Sequence, residues 1–259
     1  MASGRKTVQF VLASSVRTDV LWMLGEGGRR TEDLLDRLDA SRSAVYNALG
    51  ELEEHGLVRE DDRWELTGSG RLLADIVAQR RRYERVLTDL EGYLRTHDTA
   101  GLPRELRRRV DALAGAEVFS ATETEPNRAV AVVSERLDAA DWAKMISPVY
   151  VGSYETAIPD TPGSKLVVDE RLVRSAAASD ADEASTYEEL TIRVAGVDFA
   201  LGVTDSELLL SLPKLDGGYD SRTEVIADHD CARRWGEDLF EQVWESAVPI
   251  DEFQPESPP

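Results

Sequence analysis

Arg42, Ser43, Tyr46 and Asn47 share a helical stretch with Val45, Ala48, Leu49 and Leu52, and the apolar set recurs at helical spacing. Burial of that set turns the four polar residues outward. Their types suit the edges of nucleic-acid bases. The Arg42 guanidinium can fork onto guanine O6 and N7, and the Asn47 carboxamide can pair with adenine N6 and N7, each contact giving about 1–3 kcal/mol of discrimination. Ser43 and Tyr46 suit phosphate or mixed contacts. Thr31 at a helix start, with Arg29 and Arg30 beside it and Arg63 on a later hairpin, is placed to hold a phosphate backbone without reading sequence. A plainer reading stands beside this one, because Ser and Asn favour helix starts for capping alone. The same residues are then a solvated helix end serving protein contacts.

No comparable set supports catalysis. An enzyme needs a nucleophile, a base or a metal gathered in one cleft, whereas His55, His97 and His229 are scattered. His55 suits the negative end of a helix, and His229 near Cys231 has no further ligand at metal spacing. One cysteine forms no internal disulfide. Gly217 and Gly218, between Asp216 and Tyr219, form a tight turn, since a phosphate cradle needs a helix directly after its glycines and a basic partner. The clusters Arg80-Arg81-Arg82-Arg85 and Arg107-Arg108-Arg109 read as solvated helix faces, with phosphate contact as the alternative. No enzyme, cofactor or metal is expected.

The elements that position the first group follow from pattern. Residues 15–24 carry a buried helical stripe ended by Gly25, Gly27 and Gly28. A short helix follows, with Thr31 as its cap and Glu32 and Asp33 complementing its positive end. Ser41 caps the next helix, which Gly56 stops. Leu57 and Val58, a polar turn at Asp61 and Asp62, and Trp64 to Leu66 make a small hairpin. Its acidic tip should stay clear of phosphate. The run His55, Gly56, Leu57 and Val58, with Leu66, Thr67 and Gly70, resembles the wing and closing helix of winged-helix regulators. That resemblance implies that the helix starting at Ser41 enters the major groove of double-stranded DNA.

From residue 70 a helical pattern continues to Leu94, longer than one small domain requires. It pairs two subunits, docks a second domain, or serves as a connector within its own chain. Residues 97–103 read as a linker. Beyond it the sequence alternates: strands near 116–121, 143–147 and 165–169 with a helix near 127–137, then strands at 190–194, 199–203 and 208–212 expected as an antiparallel meander, a helix over 231–247, and a disordered acidic tail over 248–259.

Ile146-Ser147-Pro148-Val149-Tyr150, Leu166-Val167-Val168-Asp169-Glu170, Phe199 to Asp205, Asp216-Gly217-Gly218-Tyr219-Asp220 and Trp235 to Glu241 resemble, in order and spacing, the middle domain of the FilR1 family of archaeal regulators. The resemblance implies a DNA-binding regulator whose second domain senses an effector or assembles partners. Ser147, Tyr150 and Tyr154 are the candidate ligand-binding residues. The order of elements also resembles half of a phospholipase-D-type fold, without the His-x-Lys nucleophile of those hydrolases.

Charge divides along the same line. Residues 1–97 hold 15 Lys+Arg against 17 Asp+Glu, net −2, while residues 98–259 hold 15 against 33, net −18, which gives the formal −20 of the 259-residue chain. Phosphate repels acid, so the acidic second part is not the DNA-binding one. Acid-rich, lysine-poor composition resembles cytoplasmic proteins of salt-loving archaea. In molar salt the Debye length is about 3 Å, and a distant acidic domain scarcely repels DNA held elsewhere. The sequence therefore predicts a multi-domain fold: a mostly α winged helix-turn-helix with a small β wing over 1–69, a connecting or dimerisation helix and linker over 70–99, and a mixed-sheet α/β domain over 100–247. The expected partners are duplex DNA, a second copy in a homodimer and a small-molecule effector, with no membrane. A protein-interaction adaptor without sequence-specific DNA binding is the alternative.

Overall fold

The computed structural model describes residues 2–178 and 188–254, and it divides into two compact units, Met1–Glu84 and Arg85–Pro259. In the first unit the chain forms α1 (Ala2–Leu12), α2 (Ser15–Gly25), α3 (Thr31–Arg37) and α4 (Arg42–Glu54), then the hairpin β1 (Val58–Glu60) and β2 (Trp64–Leu66), before entering α5 (Gly68–Asp89). This order, in which the three helices α2 to α4 lead into a two-stranded hairpin, is that of a winged helix. Ser14 and Ser41 hydroxyls accept from Arg17 N and Ala44 N, both at 3.3 Å, satisfying otherwise orphaned donors at the starts of α2 and α4. Val45, Ala48, Leu49 and Leu52 each expose at most 3% of their surface. Each large member contributes roughly 1.5–3 kcal/mol by burial. Gly56, at φ +67°, ends α4 in a conformation other residues adopt at a cost, and Leu57 N bonds back to Leu52 O at 2.9 Å.

Two features of this unit depart from the expected pattern. Thr31 does not cap α3. It is the first helical residue, the cap position falls to Arg30, and the Asp33 carboxylate accepts from Arg30 N at 3.1 Å. The reason is that the Thr31 hydroxyl accepts the Trp64 indole N–H at 3.0 Å. The second departure is α1, which no pattern predicted. It docks through Phe10, whose ring stacks on His55 at 3.8 Å between centroids and lies under the Arg17 guanidinium at 4.0 Å. His55 meanwhile bonds the Glu51 carbonyl through Nδ1 at 2.8 Å, as suits a helix end.

In the second unit, α6 (Glu91–Leu94) and α7 (Arg104–Arg107) precede β3 (Glu117–Ser120), α8 (Arg128–Asp138), β4 (Ala143–Ser147), α9 (Gly152–Ala157), β5 (Lys165–Asp169), α10 (Glu170–Ala178), β6 (Thr191–Ala195), β7 (Ala200–Thr204), β8 (Leu208–Ser211), β9 (Thr223–Ala227), α11 (Asp230–Ser246) and β10 (Val248–Pro249). One mixed sheet of eight strands runs in the order β10-β6-β5-β4-β7-β8-β9-β3. β4, β5 and β6 are parallel and the remaining pairings antiparallel. Strand alternation sends Leu201, Val203, Leu208, Leu210 and Val225 to a face covered by Trp235, Leu239 and Phe240 of α11. The opposite face, with Met145, Leu209 and Ile226, is covered by Val133 and Leu137 of α8 and Tyr154 of α9. Gly236 lets α11 approach closely, because a Cβ there would lie 2.4 Å from Leu208 Cδ1.

Residues 190–194, expected to open the meander, fall mostly in β6 instead, which is parallel to β5 and separated from β7 by two strands, β5 and β4. The crossing from β6 to β7 is held by Asp169, buried at the end of β5. Its carboxylate accepts from Val197 N at 2.9 Å and from Arg171 Nε at 2.6 Å, and Arg171 also donates to Val197 O. The tail expected to be disordered from residue 248 begins as β10, paired with β6 through Val248–Val194. Residues 255–259 lie outside the described residues. Among the described residues no helix is long and apolar enough to cross a membrane.

Candidate functional sites

α4 carries a gradient of charge along its outer face. Arg42, Ser43, Tyr46 and Asn47 are exposed in its N-terminal half, where the helix dipole is positive, and Glu51, Glu53 and Glu54 are exposed in its last turn. Arg42, Tyr46 and Asn47 have no hydrogen-bond or ion-pair partner for their side chains among the described residues, while the Ser43 hydroxyl lies 3.2 Å from that of Ser41. Arg30 is exposed as well. The other sequence-predicted residues are engaged within the unit. Arg29 bridges Trp64 through its backbone in both directions, 3.1 and 2.8 Å, and its guanidinium meets Glu26 at 3.4 Å. Arg63 lies across Gly28 and reaches Glu65 at 3.4 Å. A hydrogen bond from Arg59, with the charges of Arg59 and Arg63, holds the Glu65 carboxyl below its ordinary range against the opposing effect of desolvation.

The arginine cluster of α5 is largely self-satisfied. Arg80 pairs with Glu84 at 2.7 Å, and Arg81 pairs with Asp19 while covering the Trp22 ring. On the same helix Leu72, Ile76 and Leu87 are 68%, 42% and 60% exposed. Leu73, Ala74 and Val77, by contrast, belong to the core of the first unit.

The second unit holds a small cavity within its α8/α9 face, walled mostly by apolar side chains such as Val133, Met145 and Leu209 with a few polar groups among them. Ser147, Tyr154, Gly202, Tyr219 and Glu224 are among its lining residues, in a concavity of ≈ 290 Å³ whose enclosed part is hardly larger than one water molecule. The structure thus brings Ser147 and Tyr154 to one cavity wall. Tyr150 is not on it: it is 66% exposed and does not line this cavity, because the chain turns after Ser147, whose hydroxyl donates to Val149 O at 2.7 Å. Glu224 was invisible in the sequence, though it is the acid in the apolar run Thr223-Glu224-Val225-Ile226. It exposes 6% of its surface, has no side-chain hydrogen bond among the described residues, and burial pushes its carboxyl up to about 8. Burial likewise raises the Tyr154 and Tyr219 phenols, so both are neutral.

The loop bearing Tyr219 is pinned from behind. Asp220 is held by Thr223 Oγ1 at 2.7 Å, Arg222 N at 3.1 Å and His97 Nε2 at 3.2 Å. Burial opposes its ionisation, but Thr223, the Arg222 amide and Lys214 outweigh it and the carboxyl titrates low. The Tyr93 ring stacks on His97, and its hydroxyl accepts from Leu212 N at 2.6 Å. His229, the remaining histidine, caps α11 by accepting from Ala232 N at 3.3 Å. Among the described residues no group of three His, Cys, Asp or Glu is placed to hold a metal ion.

A winged helix in the first unit and a mixed-sheet α/β second unit define a class, the multi-domain winged-helix proteins. Within it, residues 126–246 match the family described as Methanogenesis regulatory protein FilR1, middle domain, and residues 5–91 match the family described as HVO_A0261 N-terminal domain. Methanogenesis regulatory protein FilR1 of Methanothrix harundinacea (strain 6Ac) is 24% identical over 264 residues, covering 95% of this chain and 58% of that protein. The chain therefore spans little more than half the length of that curated relative. Two solved structures share weaker likeness. TrmBL2, described as an archaeal chromatin protein with a novel mode of DNA binding, is 15% identical with a TM-score of 0.41, over 86% of this chain and 89% of that one. NucT from Helicobacter pylori is 10% identical with a TM-score of 0.39, over 52% of this chain and 98% of that one. Scores of this size do not establish a shared fold.

Proposed function

We propose that this chain is a cytoplasmic transcriptional regulator that binds duplex DNA through α4 of its first unit and senses an effector with its second. The observation that carries the reading is the outer face of α4, where Arg42, Tyr46 and Asn47 stand exposed and unpaired on a helix whose back is fully buried. A helix of this kind fits the major groove, and the donors sit at the end that a winged helix presents to bases. The curated relative named as a regulatory protein and the matching middle-domain family support the same reading. Arg30 and Ser43 are proposed as phosphate contacts, and Arg63 joins them by exchanging Glu65 for phosphate. A homodimer is proposed through the exposed apolar residues Leu72, Ile76 and Leu87 of α5, in keeping with two-fold operators. A phospholipase-D-type half fold is likewise proposed for the second unit, supported by its mixed sheet with a parallel segment.

The test is a salt titration of binding to random-sequence and selected duplexes. Phosphate contacts predict a linear fall of log K with log salt, about −0.9 per contact. Binding with no salt dependence and no preference among duplexes removes the regulator reading and leaves the adaptor.

A further inference from the structure

We propose that the Glu224 cavity of the second unit binds a small primary ammonium group, either the ammonium ion or the charged head of a short amine. The inference gives the sensing reading a ligand class and rests on that reading for its biological meaning.

Strand alternation is the first argument. Glu224 sits on β9 opposite Phe119 of β3, at a position where Ile226 two residues on is core, so the fold places an acid where it would ordinarily place an apolar side chain. A buried carboxyl without a hydrogen bond is costly and calls for a compensating partner. The protein supplies none: the lining contains no Lys, Arg or His. The polar groups that share the cavity wall with Glu224 are Ser147 of β4 and two neutral phenols, Tyr154 of α9 and Tyr219 of the β8–β9 loop.

The missing partner is therefore a cation, and its kind follows from the donor set. One carboxylate and two phenol oxygens accept three hydrogen bonds, which matches the three N–H groups of a primary ammonium. Aromatic rings beside the carboxylate further favour a positive group. A divalent metal wants several anionic ligands at fixed geometry, and only one is present here. An anion would meet the acid unpaired. Size agrees, because space for about one water-sized centre holds an ammonium head and excludes a quaternary amine. When the cation enters, the protonated Glu224 carboxyl releases its proton to solvent and the ion pair replaces the O–H bond.

The test is calorimetric titration of the full chain, without DNA, with methylammonium chloride, against potassium chloride and tetramethylammonium chloride at equal ionic strength. At about pH 9, above the carboxyl's range, wild type should bind methylammonium and neither control. Affinity should fall about tenfold per pH unit as protons compete below the carboxyl's pKa. Glu224→Gln keeps the shape and should lose roughly 100-fold, and Tyr219→Phe, which keeps the ring, should lose about tenfold. Equal binding of potassium, or a Glu224→Gln chain that binds as wild type does, overturns the proposal. Because no DNA is present, a negative titration leaves the regulator reading standing. Conversely, a chain that binds methylammonium but whose DNA affinity does not respond to it retains the site and loses the sensing reading.

Discussion

The indole N–H of Trp64 donates to the hydroxyl of Thr31 across 3.0 Å, tying the hairpin to the first residue of α3. Trp64 is 6% exposed, so its donor has little access to water if that acceptor is removed. Thr31→Val keeps the shape and strands the indole. The expected cost is about 1–3 kcal/mol of unfolding free energy, measured by urea denaturation followed through tryptophan fluorescence. Preference among duplex sequences should be unchanged, since the Thr31 hydroxyl serves the wing rather than a base. An altered preference would return Thr31 to the DNA-reading residues.

Leu49 holds α4 against the core of the first unit and is 1% exposed. Leu49→Ala should lower the stability of that unit by about 2–5 kcal/mol, the transfer and cavity costs together. Guanidinium unfolding reads this directly. A cost below about 1 kcal/mol would mean that α4 is not packed as described.

Glu224 makes stability depend on pH in a stated direction. Its folded pKa, about 8, lies above the ordinary glutamate value, so the folded state holds a proton that the unfolded chain has already lost. Stability is fully present below about pH 4 and declines as pH rises through 8. Glu224→Gln does not titrate. The variant should match wild type in acid and become the more stable of the two by about pH 9, as chemical denaturation across pH will report. A constant difference at every pH would contradict the burial of this carboxyl.

How far the sequence disclosed this arrangement depends on whether neighbours along the chain or across it decide the outcome. α4 was readable because Val45, Ala48, Leu49 and Leu52 carry the helical period themselves, with Ser41 and Gly56 marking its ends. α1 was not, because Phe10 is held by Arg17 and His55 from two other helices. The placement of β6 hinged on Asp169 gripping Val197, a contact 28 residues apart. Glu224 was hidden for a similar reason: an acid in a short strand reads as solvent-facing until the sheet order puts α8 and α9 over it. Of the three residues expected near a ligand, Ser147 and Tyr154 share a cavity wall, and Tyr150 is not part of it.

The exposed apolar residues of α5 carry the dimer proposal. Leu72→Lys with Ile76→Lys leaves the packed side of the helix intact, since both side chains are exposed. Sedimentation should show the wild-type mass near twice that of the variant, with both chains folded by circular dichroism. Equal masses would remove this helix face from the interface.

The most direct test concerns Arg42 and Asn47. Duplexes selected by the wild-type chain from a random pool should be bound with a preference over scrambled duplexes, read by fluorescence anisotropy at fixed salt. Arg42→Ala and Asn47→Ala should each cut that preference by about 1–3 kcal/mol, roughly five- to 150-fold, at separate positions of the selected sequence. If both variants select and bind the same duplexes as tightly as wild type does, α4 is not the helix that reads DNA sequence.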